Sequence, residues 1–152
     1  MKKIKSFTID HMTLLPGVYV SRCDVLHPTG ALCAITTYDI RMTRPNFEPV
    51  MSTAEIHAIE HLGATYLRNR DDLTGRVIYW GPMGCRTGFY FILAGEADAE
   101  AVKPLMIDTF SFIAAFEGDI PGATPQECGN YSDMDLAAAK ERAKKYLEVL
   151  KM

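Results

Sequence analysis

The sequence has no long apolar run, no internal repeat and no strong cluster of charge of one sign, and each absence narrows the possible functions. A membrane-spanning helix needs about eighteen or more consecutive apolar residues, and no such run occurs. The N-terminus has no apolar signal-peptide segment, which predicts a cytoplasmic protein without a membrane partner. The net charge of -3 and the scattered basic residues argue against nucleic acid as a partner.

Cysteine is also scarce, with four among 152 residues. In the cytoplasm these cysteines are expected to be thiols or metal ligands rather than disulfides. A chain of this size buries about two-thirds of its unfolded surface, so one domain over residues 1–152 folds without a disulfide or structural metal. A bound metal would therefore be free to serve catalysis.

Four strands are predicted from alternating runs of β-forming residues. The first two, at 17–27 and 31–42, are separated by the turn signal His27-Pro28-Thr29-Gly30, which predicts an antiparallel hairpin. The other two are predicted at 76–81 and 86–94.

Three helices are predicted from apolar residues at helical spacing. The first begins at the capping box Ser52-Thr53-Ala54-Glu55 and continues to about residue 69. The second runs from Asp98 to Phe116, and the third from Asp133 to Leu150, with Ser132 or Asp133 as its cap. The order β-β-α-β-β-α-α predicts an α+β fold, an antiparallel sheet with helices packed on one face in a two-layer sandwich.

The first helix carries His57, Glu60 and His61 on one face, because residues three and four apart share a face. Two imidazoles one turn apart can bind one divalent cation, and the carboxylate between them can move protons. An ordinary polar helix face has the same pattern, so this motif alone leaves metal binding open. A catalytic site also needs a third ligand and one open position.

Several residues are candidates for completing that site. Cys128, in the irregular segment 119–132, would give a two-histidine, one-thiolate site suited to Zn²⁺ or Fe²⁺, although a buried free thiol is the alternative for this cysteine. A small zinc metallohydrolase would instead take a carboxylate from Glu96 or Glu100. A structural zinc-binding module would need a fourth protein ligand, Cys85 or His11.

Cys85 is a second reactive candidate, in the segment Gly81-Pro82-Met83-Gly84-Cys85-Arg86-Thr87-Gly88. Glycines allow a substrate to approach the backbone closely, and Arg86 would favour the thiolate, the reactive form. A simple hairpin connection explains the same segment. Cys23 and Cys33 lie in predicted strands and are expected in the core.

Five segments together resemble the S-ribosylhomocysteine lyase family, and they occur in order along most of the chain. They are Ser6-Phe7-Thr8-Ile9-Asp10-His11, Tyr38-Asp39-Ile40-Arg41, His57-Ala58-Ile59-Glu60-His61-Leu62, Gly81 to Tyr90, and Glu127-Cys128-Gly129-Asn130-Tyr131; Arg44-Pro45-Asn46 fits as well. The chain departs from the family at Tyr79-Trp80-Gly81, where many members have an acidic residue, an aliphatic residue and serine. This departure affects the region that helps to hold the homocysteine end of the substrate.

The resemblance implies an enzyme that cleaves S-ribosylhomocysteine to homocysteine and the precursor of the quorum-sensing signal autoinducer-2, which also links it to methyl-cycle recycling. It implies a homodimer with two sites at the subunit interface, each with one Fe²⁺ or Zn²⁺ bound by His57, His61 and Cys128. It implies Cys85 and Glu60 as the acid/base pair. The positions that line or support the substrate pocket would be Ser6, His11, Asp39, Arg41 and Arg68.

Overall fold

A computed structural model describes residues 9–26 and 33–152. Within these ranges the chain forms strands β1 (Gly17–Leu26), β2 (Cys33–Arg41), β3 (Val77–Pro82) and β4 (Gly88–Ala94), and helices α1 (Thr53–Arg68), α2 (Ala99–Ala115) and α3 (Leu136–Leu150). A short 3₁₀ turn, Asp71–Leu73, follows α1. The predicted order of strands and helices is confirmed. None of the described helices combines the length and apolar character that crossing a bilayer requires.

The strands form one antiparallel sheet in the order β1-β2-β4-β3. The predicted pairing of the first two strands is confirmed, with Tyr19 opposite Asp39, whereas the predicted turn at 27–30 lies outside the described residues. At the end of β2, Arg41 is opposite Gly88 of β4. This pairing brings the end of β2 next to the segment that carries Cys85.

The helices cover one face of the sheet, as predicted. Side chains alternate between the faces of a strand. Tyr38 and Ile40 of β2 join Phe89 and Phe91 of β4 in the buried apolar cluster, which also contains apolar side chains of all three helices. The side chains of Asp39 and Arg41 lie on the opposite face of β2, so the helix-free face carries the polar groups discussed below.

The first helix begins as predicted. The Ser52 side chain accepts from the Glu55 N–H, and the Glu55 carboxylate accepts from the Ser52 N–H, which completes a capping box. The buried Glu55 carboxylate also pairs with the guanidinium of Arg142 on α3. The start of α1 is therefore fixed both by its own cap and by the packing of α3.

The third helix begins later than predicted. It starts at Leu136, and its cap is Asp135, whose carboxylate accepts from the Ala138 N–H. The predicted start at Asp133 with a cap at Ser132 or Asp133 is wrong, because tertiary contacts keep these residues out of the helix. The Asp135 N–H donates to the Ala54 carbonyl at the start of α1.

The prediction that Cys23 and Cys33 lie in the core is also wrong, since both are only partly buried. β1, which carries Cys23, is an edge strand, and Cys33 is the first residue of β2. A strand-forming pattern in the sequence does not distinguish an edge position from a central one.

Candidate metal centre and active site

Three predicted metal ligands lie together between α1 and the loop before α3. One ligand atom each from His57, His61 and Cys128 lies within 4.8 Å of the others. The Sγ atom of Cys128 is 3.3 Å from Nε2 of His57. The two imidazole rings are 4.8 Å apart between centroids and nearly perpendicular. Two imidazole nitrogens and one sulfur form a donor set that fits a divalent ion such as Zn²⁺ or Fe²⁺.

Both imidazoles are oriented by backbone carbonyls of the same loop. Nδ1 of His57 is 3.0 Å from the Asp133 carbonyl oxygen, and Nδ1 of His61 is 2.8 Å from that of Pro121. Because a carbonyl oxygen only accepts, each Nδ1 carries the proton and donates it. The lone pair is then on Nε2, the tautomer that a metal ligand needs. With a lone pair on Nε2 of both rings, the two histidines fit the role of metal ligands.

Gly122 makes the close approach between the loop and His61 possible. Its φ of +76° is in the left-handed region, and a Cβ at this position would lie 3.0 Å from Nδ1 of His61. A side chain here would press on the ring that donates to Pro121. This residue was not identified from the sequence, since it forms no motif with the histidines.

Cys128 is held in a local turn. Its N–H donates to the Thr124 carbonyl at 3.0 Å, and its sulfur accepts from the Asn130 N–H at 3.5 Å. The sulfur is therefore directed toward His57 by backbone contacts on both sides of the residue.

The other candidate ligands are not part of this group. Among the described residues, the only group of three or more potential ligands is His57, His61 and Cys128. Glu96 and Glu100 are exposed at and just before the start of α2. The residue that accompanies the two histidines in this group is thus a cysteine rather than a carboxylate, and neither Cys85 nor His11 is part of the group.

Cys85 is exposed in the segment between β3 and β4, and its sulfur lies next to the buried ion pair of Arg41 and Asp39. Its Sγ is 3.0 Å from Oγ1 of Thr87 and 3.9 Å from Nη1 of Arg41. Arg41 forms a two-point salt bridge with Asp39, and both residues are almost fully buried, at 2% and 3% exposure. Burial alone would lower the pKa of Arg41, but the bonds to Asp39 outweigh this effect and raise that pKa.

The guanidinium that contacts Cys85 therefore belongs to Arg41 and not to the adjacent Arg86. Arg86 has a left-handed backbone, with φ of 59°, and lines a neighbouring cavity. The contact with Arg41 depends on the pairing of β2 with β4. The sequence could not indicate this contact, because 44 positions separate Arg41 from Cys85.

Two cavities flank the metal-ligand group. One, of about 290 Å³, is lined by His57 and by Gly84 and Arg86, the neighbours of Cys85 in the chain. The other, of about 340 Å³, is lined by Glu60 and His61. Glu60, which is half-buried, and the chain neighbours of Cys85 thus line different cavities, each of which is also lined by one of the two histidines.

Of the other predicted substrate-binding residues that the structure describes, neither His11 nor Arg68 lines the two cavities beside this group. Ser6 lies outside the described residues. Nδ1 of His11 donates to the Ile9 carbonyl at 2.9 Å. Arg68 is exposed at the end of α1, where it donates to the carbonyls of Val77 and Ile78. It lies about 10 Å beyond His61 along the helix axis.

At Tyr79-Trp80-Gly81, where the chain departs from the family pattern, the central residue is part of the buried core. Trp80 is buried and stacks on Phe89, with ring centroids 4.8 Å apart. Gly63 of α1 accommodates the indole, since a Cβ there would lie 2.5 Å from Nε1 of Trp80. On the other face of β3, the Tyr79 ring lies over Gly81, where a Cβ would collide with it.

An α+β fold with a His₂Cys group beside an arginine-supported cysteine defines a candidate metalloenzyme. A profile of the S-ribosylhomocysteinase (LuxS) family matches residues 4–152, and the chain belongs to this family. The resemblance inferred from the five segments is confirmed.

Several curated proteins named S-ribosylhomocysteine lyase are similar to this chain over nearly their whole length. The chain is 58% identical over 147 residues to the S-ribosylhomocysteine lyase of Clostridium beijerinckii, covering 97% of this chain and 90% of the relative. It is 55% identical over 150 residues to that of Finegoldia magna, covering 99% and 92%. It is 49% identical over 150 residues to that of Borreliella burgdorferi, covering 99% and 93%.

Proposed function

We propose that residues 1–152 form one catalytic domain of a metal-dependent carbon–sulfur lyase. The substrate is S-ribosylhomocysteine, and the products are homocysteine and 4,5-dihydroxy-2,3-pentanedione, the precursor of autoinducer-2. The observation that carries this proposal is the group of His57, His61 and Cys128 in a chain of this family. The enzyme acts in the cytoplasm, in signalling and in methyl-cycle recycling of homocysteine.

Cleavage of the thioether requires several proton transfers. The thioether is joined to C5 of the opened ribose, whereas the carbonyl is at C1, too far away to assist cleavage. The carbonyl has to migrate to C2 and then to C3, and each migration removes a carbon-bound proton next to a carbonyl. With the carbonyl at C3, loss of the C4 proton expels homocysteine as its thiolate.

One Fe²⁺ or Zn²⁺ per subunit would be held by Nε2 of His57, Nε2 of His61 and Sγ of Cys128. Such an ion supplies Lewis-acid stabilisation of the negative charge that develops on the sugar oxygens. The carbonyls of Asp133 and Pro121 keep both imidazoles in the required tautomer. The donor set accepts either ion, and metal availability selects between them.

Cys85 and Glu60 are the proposed proton carriers. Protons leave and arrive at several carbons, so two groups on different sides of the sugar are better suited than one. Cys85 carries protons in the early transfers between C1 and C2, and Glu60 acts in the later steps. Glu60 lines one cavity beside the ligand group, and Gly84 and Arg86, the neighbours of Cys85, line another, which supports this division.

Asp39 and Arg41 are proposed to support the pocket by holding Cys85 in place, since both are buried and Arg41 contacts the sulfur of Cys85. Ser6, His11 and Arg68 are proposed to line the substrate pocket. The position of Arg68, two turns beyond His61 on α1, is better suited to a site completed by a second subunit. A homodimer is also supported by exposed apolar side chains, among them Tyr19, Ile78 and Tyr79.

The test is incubation of the metal-loaded protein with S-ribosylhomocysteine in the presence of a thiol reagent. We expect one new thiol per substrate consumed, together with the dicarbonyl product. The matched control is the substrate reduced to an alcohol at C1, which has no carbonyl to migrate and should release no thiol. Absence of a new thiol with the natural substrate, despite a full complement of metal, excludes the proposed reaction.

A further inference from the structure

The contacts of Arg41 with its neighbours fix the direction of a chain of hydrogen bonds. A guanidinium only donates. Its Nε and Nη2 donate to the two carboxylate oxygens of Asp39. Its Nη1 donates to Oγ1 of Thr87 at 2.6 Å. The hydroxyl oxygen of Thr87 is therefore an acceptor toward Arg41.

The hydroxyl proton of Thr87 then has one destination among the described contacts, the sulfur of Cys85 at 3.0 Å. Thr87 is 4% exposed, so water is a poor alternative acceptor. If the thiol instead donated to Thr87, the hydroxyl proton would be buried without an acceptor, which is unfavourable. The sulfur of Cys85 is consequently the acceptor, and Nη1 of Arg41 is a second donor at 3.9 Å.

The backbone holds Thr87 in this position. Its carbonyl accepts from the N–H groups of Met42 and Thr43 at 2.9 and 3.1 Å, just beyond the end of β2. The left-handed backbone of Arg86 lies between Cys85 and Thr87, whose side chains meet across it.

We propose that Thr87 is a positioning residue that keeps Cys85 Sγ as a hydrogen-bond acceptor in the resting enzyme. A hydrogen bond donated to this sulfur stabilises negative charge on it, which suits the sulfur to take a proton from the substrate. This inference rests on the proposed function, in which Cys85 carries protons, and it adds a residue that acts through Cys85 without touching the substrate.

The test compares Thr87→Val, which removes the hydroxyl at nearly constant shape, with Thr87→Ser, which keeps it. The measurement is the rate at which iodoacetamide alkylates Cys85 in the metal-loaded protein, determined on the peptide that contains this residue. Iodoacetamide reacts with the thiolate, and a donated hydrogen bond stabilises negative charge on sulfur, so loss of this bond predicts a rate about tenfold lower for Thr87→Val and restored in Thr87→Ser. The turnover number should fall in parallel while KM stays near its wild-type value.

Thr43→Val is the matched control, because Thr43 is a buried threonine nearby whose Oγ1 has no hydrogen-bond partner within the described part of the chain. It should leave alkylation unchanged. If Thr87→Val does not fold, Thr87→Ala removes the same hydroxyl with less bulk. Wild-type alkylation and turnover in a folded variant without the hydroxyl overturn the inference.

Alkylation does not depend on turnover, so the two proposals fail in different ways. If thiol release from S-ribosylhomocysteine is absent but Thr87→Val slows alkylation, the proposed function fails and the hydrogen-bond direction stands. If thiol release is normal and all Thr87 variants alkylate at the wild-type rate, the proposed function stands and the role of Thr87 is excluded.

Discussion

The sulfur of Cys128 lies 3.3 Å from Nε2 of His57, although 71 positions separate the two residues. The loop that carries Cys128 also supplies the carbonyls of Pro121 and Asp133, which accept from Nδ1 of His61 and His57. One loop therefore provides the sulfur and orients both imidazoles. The metal-ligand group depends on how this loop packs against α1.

Cys128→Ala should remove the metal while leaving the fold in place. Two imidazoles alone bind a divalent ion much more weakly than the complete donor set, and a chain of this size folds without a structural metal. Metal content after dialysis and circular dichroism would measure the two effects. Cys23→Ala is the control that should keep its metal, because Cys23 lies on the edge strand β1 and is not part of the ligand group. Full metal content in Cys128→Ala would mean that the third ligand is a different residue.

Gly122→Ala should weaken metal binding by about 10–100-fold, the usual effect of disturbing a group that orients a metal ligand. The new Cβ would press on His61 and its bond to Pro121. Gly118→Ala is the matched control, because Gly118 also has a positive φ but a Cβ there meets nothing within 4 Å. Competition with a chelator would give both affinities. Equal losses in the two variants would attribute the effect to backbone strain and not to His61.

Cys85→Ala and Glu60→Gln should both retain metal and both lose release of homocysteine, but they should stop at different steps. In deuterated water, Cys85→Ala should block exchange of the sugar proton at C2, because the early transfer lacks its carrier. Glu60→Gln should still exchange that proton and then stall before the thioether breaks. Proton NMR of the substrate distinguishes the two. The proposed division of work is contradicted if Glu60→Gln blocks the exchange and Cys85→Ala permits it.

Mixing two inactive variants tests whether the site is shared between subunits. If Cys85 and Arg68 of different subunits serve one site, co-refolding equal amounts of Cys85→Ala and Arg68→Ala should restore about a quarter of wild-type turnover, because half of the dimers then contain one intact site. Each variant refolded alone is the control. No recovery in a mixture that has formed mixed dimers would place both residues in the same subunit's site.

Local signals predicted much of the fold and of the ligand helix. The capping box at Ser52 located the start of α1, and helical spacing placed His57 and His61 on one face. The start of α3 was predicted too early because Asp133 and Asp135 make tertiary contacts with α1 instead of continuing the helix. Those contacts leave no local pattern in the sequence.

The contacts that hold Cys85 and His61 in place were the least predictable part of the candidate site. The resemblance implied Asp39 and Arg41 as pocket residues, but their contact with Cys85 follows from the pairing of β2 and β4. The role of Gly122 depends on the path of the loop past His61, and a lone glycine gives no sign of it. Sequence motifs therefore predicted the candidate reactive groups, whereas tertiary packing determines which contacts hold them in place.

The central claim is that the group of His57, His61 and Cys128 holds the ion on which cleavage depends. Its most direct test is titration of the metal-free protein with Fe²⁺ or Zn²⁺ under anaerobic conditions, with homocysteine release measured at each point. The account predicts that release rises in proportion to bound metal and reaches its maximum at one ion per chain. Equal release from the metal-free protein would contradict it.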